Sequence, residues 1–261
     1  MARWLASEVP EWAVGLVCLV GLPALMVLVQ AMVRRVVPKW DSGEHNDAAG
    51  VMLSAAVVVY SIAIGLCVVT LWERLDDAHR ATEAEATNLA AVAQGSAVFD
   101  AGVRERIRAG VIAYNKDVID GWALRIHGEP VPKVGDDLDA LVATVAALEP
   151  QTPAQRAFVE DATARLDRAA ELRVVAVRLA KDQQLPDILW VAVIGGSVVV
   201  LGLCLTCGVR DGVLRRILLV GVTATVGINL FLVVELNYPF YGNVSIRPDS
   251  YANVIAALDG R

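Results

Sequence analysis

The sequence predicts an all-α polytopic membrane protein, with four transmembrane helices and a helical soluble domain inserted between the second and third. Of its 261 residues, 56% are hydrophobic and only 20% are charged, and its mean hydropathy is +0.53. A soluble domain of this length rarely hides so much apolar surface. Four apolar stretches are long enough to cross a bilayer core, which takes about 20 helical residues. Between the second and third stretches, charge rises and apolar residues recur every three or four positions.

The predicted spans cover about residues 12–33, 48–72, 188–209 and 213–234. They form two hairpins, within 1–72 and 186–236. The first stretch differs from a secretory signal because only one basic residue, Arg3, precedes it and no small-x-small cleavage site follows Pro23. We therefore expect it to remain as a span, in a multi-pass protein of the plasma (inner) membrane.

The segment 73–185 contains 14 Lys and Arg against 19 Asp and Glu, which is typical of a solvated domain. Its apolar periodicity predicts four amphipathic helices, separated by Gly- and Pro-containing breaks at 95–102, 128–135 and 150–153. The four apolar stripes are Leu75, Ala78, Thr82, Leu89 and Val92; Ile107, Val111, Tyr114, Val118 and Trp122; Leu138, Leu141, Val145 and Leu148; and Phe158, Ala162, Leu166, Ala169, Leu172, Ala176 and Leu179.

Two of these helices are expected to be long. No Gly or Pro occurs between Leu66 and Gln94, so the second span should continue into the domain as one helix. The last helix should run from Pro153 to about Gln184. Its start combines an N-cap hydroxyl at Thr152 with a capping-box glutamine at Gln155.

Which side of the membrane holds 73–185 stays open. The short loops on one side carry six basic residues against two near the spans on the other, which favours an extracytoplasmic domain. When the basic residues at the edges of the domain are included, this count becomes six against seven.

The net charge of −6 and the lack of a basic cluster disfavour nucleic-acid binding.

Catalytic and metal-binding groups are not expected. The spans contain no Asp, Glu or His, which disfavours both a membrane enzyme and a proton-coupled transporter. The three histidines, His45, His79 and His127, lack partners at metal-ligand spacing and are interpreted as solvated side chains. Glu83 and Glu85 are two positions apart, hence on different helix faces, and are interpreted as solvent-exposed charges. We predict no cofactor, no metal and no enzymatic activity.

The four cysteines, Cys18, Cys67, Cys204 and Cys207, all fall within spans. Cys204 and Cys207 have the spacing of a redox or metal pair, but inside an apolar helix they are better interpreted as small packing residues. The second span, rich in small residues and hydroxyls, has two interpretations. Such residues serve helix packing, and an uncharged apolar constriction can also gate a pore by dewetting.

The residues after the fourth span carry a resemblance. The sequence ELNYPFYG at 235–242 resembles the Asn-Pro-Phe-Gly motif that follows a span in bestrophin ion channels, and 64–74 resembles their second span. The tail 239–248 matches the Pro-Phe-x-Gly-x-[Val/Ile]-x-x-x-Pro pattern of bacterial bestrophin-like membrane proteins. The tail motif therefore begins at Glu235, at the end of the second hairpin, and continues in the tail 237–261 with Asn237, Pro239, Phe240, Gly242 and Pro248. Pro239 also ends the helix, and the neighbouring aromatic residues suit a membrane interface.

The resemblance implies a homo-oligomer around a central axis, with the second span lining a passive ion pore. The implied lining positions are Val57, Tyr60, Ser61, Ile64, Val68 and Leu71. Lipid, further copies of the chain and small inorganic ions are the expected partners. The sequence departs from the bestrophin pattern in two respects. Bestrophin necks are rich in aromatic residues, whereas Tyr60 is the one aromatic residue among these positions. The calcium clasp of animal bestrophins needs an acidic run after the Pro-Phe-Gly turn, but only Asp249 is available here, so calcium gating is not expected. By resemblance, the helical domain would be cytoplasmic.

One alternative function stays open from the sequence. A non-conducting sensory or scaffold protein would use the helical domain to bind a partner. It would share the spans but would not need the second span to face water.

Overall fold

The computed structural model describes residues 11–36, 46–181, 185–206, 212–237 and 246–260. These residues form helices and connecting turns without a strand, so the predicted all-α class is confirmed. The helices are α1 (Glu11–Leu16), α2 (Leu22–Val36), α3 (Asn46–Gly95), α4 (Ala101–Asp120), α5 (Trp122–Ile126), α6 (Pro132–Ala146), α7 (Pro153–Lys181), α8 (Asp187–Thr206), α9 (Gly212–Leu236) and α10 (Asp249–Asp259), with a π-helical turn at Val17–Gly21 and a 3₁₀ turn at Ser96–Val98.

Four helical segments are long and apolar enough to cross a membrane, which confirms the predicted number of spans. They are Trp12–Val36, Gly50–Val98, Asp187–Thr206 and Gly212–Leu236. The third was predicted to reach residue 209, and its last three positions lie outside the described residues. The chain divides into two compact units, one of Met1–Glu73 with Gln183–Val244 and one of Arg74–Asp182 with Ser245–Arg261.

In the first unit, α9 packs against α2, the π-helical turn and α8. The π-helical turn has a local cause. Pro23 has no N–H to donate to a carbonyl four residues back, and the preceding Leu22 N–H instead donates to Val17 O, five residues back. At this turn the backbones approach closely. A Cβ atom on Gly227 of α9 would lie 2.1 Å from the Cys18 carbonyl oxygen, so only glycine fits there.

The second unit has one apolar core, to which α3, α4, α6, α7 and α10 contribute. As predicted, α3 continues without a break to Gly95. The capping box of α7 is confirmed: Gln155 N–H donates to Thr152 Oγ1 at 3.2 Å, and Thr152 N–H donates to Gln155 Oε1 at 3.2 Å. The described part of α7 ends at Lys181, and its predicted continuation to Gln184 lies outside the described residues.

The structure differs from the predicted helices at two breaks. Trp122 was placed on the helix of Ile107, but α4 ends at Asp120 and Trp122 begins the separate α5. Gly121 lies between them, where a Cβ would meet Val131 Cγ1 at 2.7 Å. Leu148 was placed on the third helix but follows its end at Ala146.

The tail contains a helix that the periodicity analysis missed. Helix α10 begins after Pro248, whose carbonyl accepts from Tyr251 N and Ala252 N. Its buried side chains, Tyr251, Val254 and Leu258, belong to the core of the second unit. This end of the tail therefore packs in the helical unit.

The contact at Gly227 gives a stability prediction. We expect Gly227→Ala to lower the free energy of unfolding by about 1–3 kcal/mol, because its new methyl group would overlap the Cys18 backbone. Gly221→Ala on the same helix is the matched control, since nothing lies within 4 Å of its Cβ position. Thermal unfolding in detergent measures both variants; equal melting temperatures for the two would contradict the assigned contact.

Candidate functional site

One face of α3 is buried within the membrane-spanning unit. Tyr60, Ile64, Cys67 and Leu71 form this face, at helical spacing. Tyr60 Oη lies 2.6 Å from Ser197 Oγ on α8. Since the Ser197 hydroxyl donates its one proton to Val193 O at 2.8 Å, Tyr60 donates to Ser197.

The ring of Tyr60 lies against a glycine. A Cβ on Gly196 would be 2.7 Å from Tyr60 Cδ2, whereas the adjacent Gly195 has nothing within 4 Å of its Cβ position. The absence of a side chain at Gly196 therefore makes room for the tyrosine. Hydroxyl pairing and close approach at a small residue are the two devices that hold helices together in lipid.

The six positions predicted to line a pore fall into two groups in the single subunit. Tyr60, Ile64 and Leu71 are buried, at 9%, 3% and 0% exposure. Val57 and Val68 are half-buried at the edge of this face, and Ser61 is exposed. Their predicted role in a pore stays a prediction.

The rest of α3 in this unit presents an uncharged exposed surface. Val58, Ile62, Leu66, Val69 and Trp72 are exposed, and no ionisable acid, base or histidine occurs from 50 to 72. Only 11% of the most apolar window of this span is buried. Most of its surface is therefore left for lipid or for another copy of the chain.

In the tail motif, Asn237 has a structural contact. It is fully buried, and its Oδ1 accepts from the Leu185 N–H at 2.9 Å, which links the end of α9 to the residues preceding α8. Glu235 is half-buried. Pro239, Phe240 and Gly242 lie outside the described residues, and Pro248 immediately precedes α10.

The second unit contains a buried ion pair. Glu85 of α3 and Arg125 of α5 are 0% and 3% exposed, and Arg125 Nη2 donates to Glu85 Oε2 at 2.5 Å. Arg125 Nη1 and Tyr114 Oη both donate to Glu85 Oε1, at 3.2 and 2.6 Å. The carboxylate is thus satisfied by three donors from two other helices, as a buried charge requires.

Aromatic rings flank this pair. The Arg125 guanidinium carbon lies 5.7 Å from the Trp122 ring centroid and 5.6 Å from that of Tyr251 on α10, within reach of a cation–π attraction. Burial and the Glu85 carboxylate raise the pKa of the Tyr114 hydroxyl. Burial by itself would lower the pKa of Arg125. The Glu85 carboxylate raises it, and the net result is a pKa of Arg125 above its ordinary value. Arg125 therefore stays a cation over the physiological pH range.

The sequence interpretation of Glu85 as a solvated charge is wrong. Glu83 is exposed and pairs with His79 at 3.1 Å, but Glu85 lies in the core. The signal was present: Ala78, Thr82, Glu85, Leu89 and Val92 share one helix face at steps of three and four. A carboxylate on an apolar face indicates a buried cation partner elsewhere in the chain.

A second carboxyl cluster joins α4 and α6. Lys133 Nζ donates to Asp117 Oδ1 at 2.6 Å, and Asp137 lies beside Asp117. Burial and hydrogen bonding to Asp117 raise the pKa of Asp137 to about 6, whereas the shared hydrogen bond and Lys133 lower the pKa of Asp117. A proton held on Asp137 can be donated to Asp117, so one proton serves both carboxyl groups.

Within the described part of the chain, no three His, Cys, Asp or Glu side chains are grouped as a metal site. His79 and His127 are exposed. His45 and Cys207 lie outside the described residues, while Cys204 is buried and forms no disulfide with a described residue.

The buried pair gives a stability prediction with a control two residues away. Glu85→Gln leaves the Arg125 cation buried without an anion, and we expect it to lower the free energy of unfolding by about 3–5 kcal/mol. Glu83→Gln removes only an exposed pair, worth about 0–1 kcal/mol. Circular dichroism during denaturation in detergent compares them. Similar losses in both variants would refute the role of Glu85.

The raised pKa of Asp137 predicts a pH dependence. Between its ordinary pKa and about 6, the folded state holds a proton that the unfolded state releases, so this stabilisation is lost as pH rises through about 6. Asp137→Asn cannot titrate, and we expect stability measured from pH 4 to 7 to vary less than in the parent protein. Asp139→Asn removes the same charge at an exposed position and should preserve the parent's slope. An unchanged slope in Asp137→Asn would contradict the assignment.

Comparison with known families agrees with the architecture and the tail. A family model described as a bestrophin-like domain matches residues 20–251, from the first span to Tyr251 of α10. Curated proteins and solved structures provide no match. Because the match covers most of the chain, including the second predicted hairpin and the tail motif, the chain belongs to the bestrophin-like family.

Proposed function

We propose that the protein is a homo-oligomeric passive ion channel in which α3 of each subunit faces a central pore. Membership of the bestrophin-like family supports conduction. The observation that carries the proposal is the long, uncharged and mostly exposed membrane part of α3. One such helix cannot enclose a pore, so several copies of the chain must surround the axis.

The chemistry of the spans favours passive flow. Proton-coupled transport uses ionisable groups within the membrane, and no Asp, Glu, His, Lys or Arg occurs from 50 to 72 of α3 or near the middle of α8 or α9. Apolar constrictions gate by dewetting without fixed charge. Such a pore is closed while its neck is dry and conducts when the neck is hydrated.

We assign the pore to one edge of the predicted stripe. Val57, Ser61 and Val68 border the buried face, and Gly65, next to Ser61 and Val68 on the helix surface, has open space at its Cβ position. Tyr60, Ile64 and Leu71 would then hold α3 to its own subunit, and would reach the pore only if α3 rotated about its axis.

Flux through liposomes tests the proposal. We expect the purified oligomer to pass chloride or sodium above empty liposomes. Val68→Ser should raise this flux severalfold, since a hydroxyl eases wetting of an apolar neck. Val59→Ser is the matched control, because Val59 is exposed on the opposite side of α3. Equal effects of the two substitutions would contradict the assigned edge, and higher flux from Ile64→Ser alone would indicate that the buried stripe lines the pore.

Cysteine accessibility gives an independent readout. In a variant without the four native cysteines, single cysteines at 57, 61, 65 and 68 should react with a charged thiol reagent, and one at 59 should not. Absence of both flux and reactivity in an intact oligomer would favour the non-conducting scaffold.

A further inference from the structure

The second unit contains a cavity of about 260 Å³ that the proposed channel does not use. It lies where α4, α5, α6 and α7 meet the turn that precedes α6. Its lining is Val118, Arg125, Glu129, Pro130, Val131, Pro132, Val134, Gly135, Arg173, Val174 and Val177. Glu129, Pro130 and Pro132 are exposed, so the cavity opens to solvent on their side.

Most of the wall is apolar. Five valines come from four separate segments of the chain, and Val134 is 3% exposed. Two prolines stiffen the turn that closes one side. Apolar walls with few polar groups are the usual composition of a site for small organic molecules.

Two arginines supply the polar character. Arg125 is 3% exposed, and although Glu85 binds its two terminal nitrogens, its buried Nε has no acceptor within the described residues. Arg173 is half-buried, and the structure gives it no ion pair or hydrogen bond with any described residue. Its Nη1 lies 3.2 Å from the Cβ position of Gly135, so the glycine leaves space for the guanidinium beside the cavity.

We propose that this cavity binds a small organic monoanion, a carboxylate on a short apolar body. The carboxylate pairs with Arg173, whose planar fork matches it, and the apolar body packs against the valines. Arg125, whose charge Glu85 neutralises, adds the buried N–H donor at Nε, and the negative charge of Glu129 at the exposed side repels more highly charged anions. Pockets for drug-sized ligands run from about 300 to 1,000 Å³, so this cavity selects a smaller molecule.

The experiment uses the full chain in lipid nanodiscs with 4-fluorobenzoate as the probe and fluorine NMR line broadening as the readout. We expect saturable binding of 4-fluorobenzoate. The uncharged 4-fluorobenzamide should bind at least about tenfold more weakly, the change expected on loss of a charge-assisted hydrogen bond. Similar binding of the two would overturn the proposal, as would no binding of either.

Three variants locate the site. Arg173→Gln should weaken binding at least about tenfold, whereas Arg178→Gln, exposed on the same helix and outside the cavity, should leave it unchanged. Val177→Phe should block binding by filling the cavity. Equal effects of the two arginine substitutions would refute the site.

The direction in which a fourth variant changes binding affinity distinguishes a monoanion from a zwitterion. Glu129→Gln should tighten 4-fluorobenzoate binding, because it removes a like charge. Weaker binding would overturn the monoanion assignment and favour a zwitterion that pairs with both Arg173 and Glu129. None of these readouts requires ion flux, so the cavity proposal and the channel proposal can fail separately.

Discussion

The buried Glu85–Arg125 pair is the interaction on which the helical unit depends. An ionised carboxylate in an apolar core is costly unless it is paired with a cation and hydrogen-bonded. Glu85 meets that requirement with Arg125 and Tyr114, so α3, α4 and α5 have one mutual arrangement that satisfies it. The guanidinium in turn lies near the rings of Trp122 and Tyr251. Helix α10 is therefore held in this core by a cation–π contact at Tyr251 as well as by its apolar face.

The membrane-spanning unit is held by different means. Lipid removes the hydrophobic drive between helices, so close backbone approach and shared hydroxyls must supply the association. Gly227 against the Cys18 carbonyl and Gly196 against the Tyr60 ring are such approaches, and the Tyr60–Ser197 hydrogen bond adds direction. These contacts occupy a small part of each span. The large exposed remainder is the physical reason for proposing further subunits and lipid as its neighbours.

The two proposals use different properties of the chain. Conduction rests on the absence of charge along the membrane part of α3, where an apolar wall can exchange between dry and wet states. The cavity rests on the opposite property, an arginine that lies beside apolar walls and forms no ion pair with any described residue. The acidic pair of Asp117 and Asp137 adds a proton-binding site in the same unit. The pKa of Asp137 is about 6, so this site takes up a proton in mildly acidic conditions.

The sequence by itself determined the spans and most of the other helices, because their signals are local. Run length set the number of spans, the absence of Gly and Pro kept α3 continuous, and Thr152 with Gln155 started α7. Glu85 is in line with the apolar face of α3 in the sequence, although its spacing from Glu83 was interpreted as that of a solvent-exposed charge. What that face meets depends on residues far apart in the chain, and only the tertiary structure decided it. Arg125 lies 40 positions from Glu85, Ser197 lies 137 from Tyr60, and Val131 occupies the space that a side chain at Gly121, after the end of α4, would need.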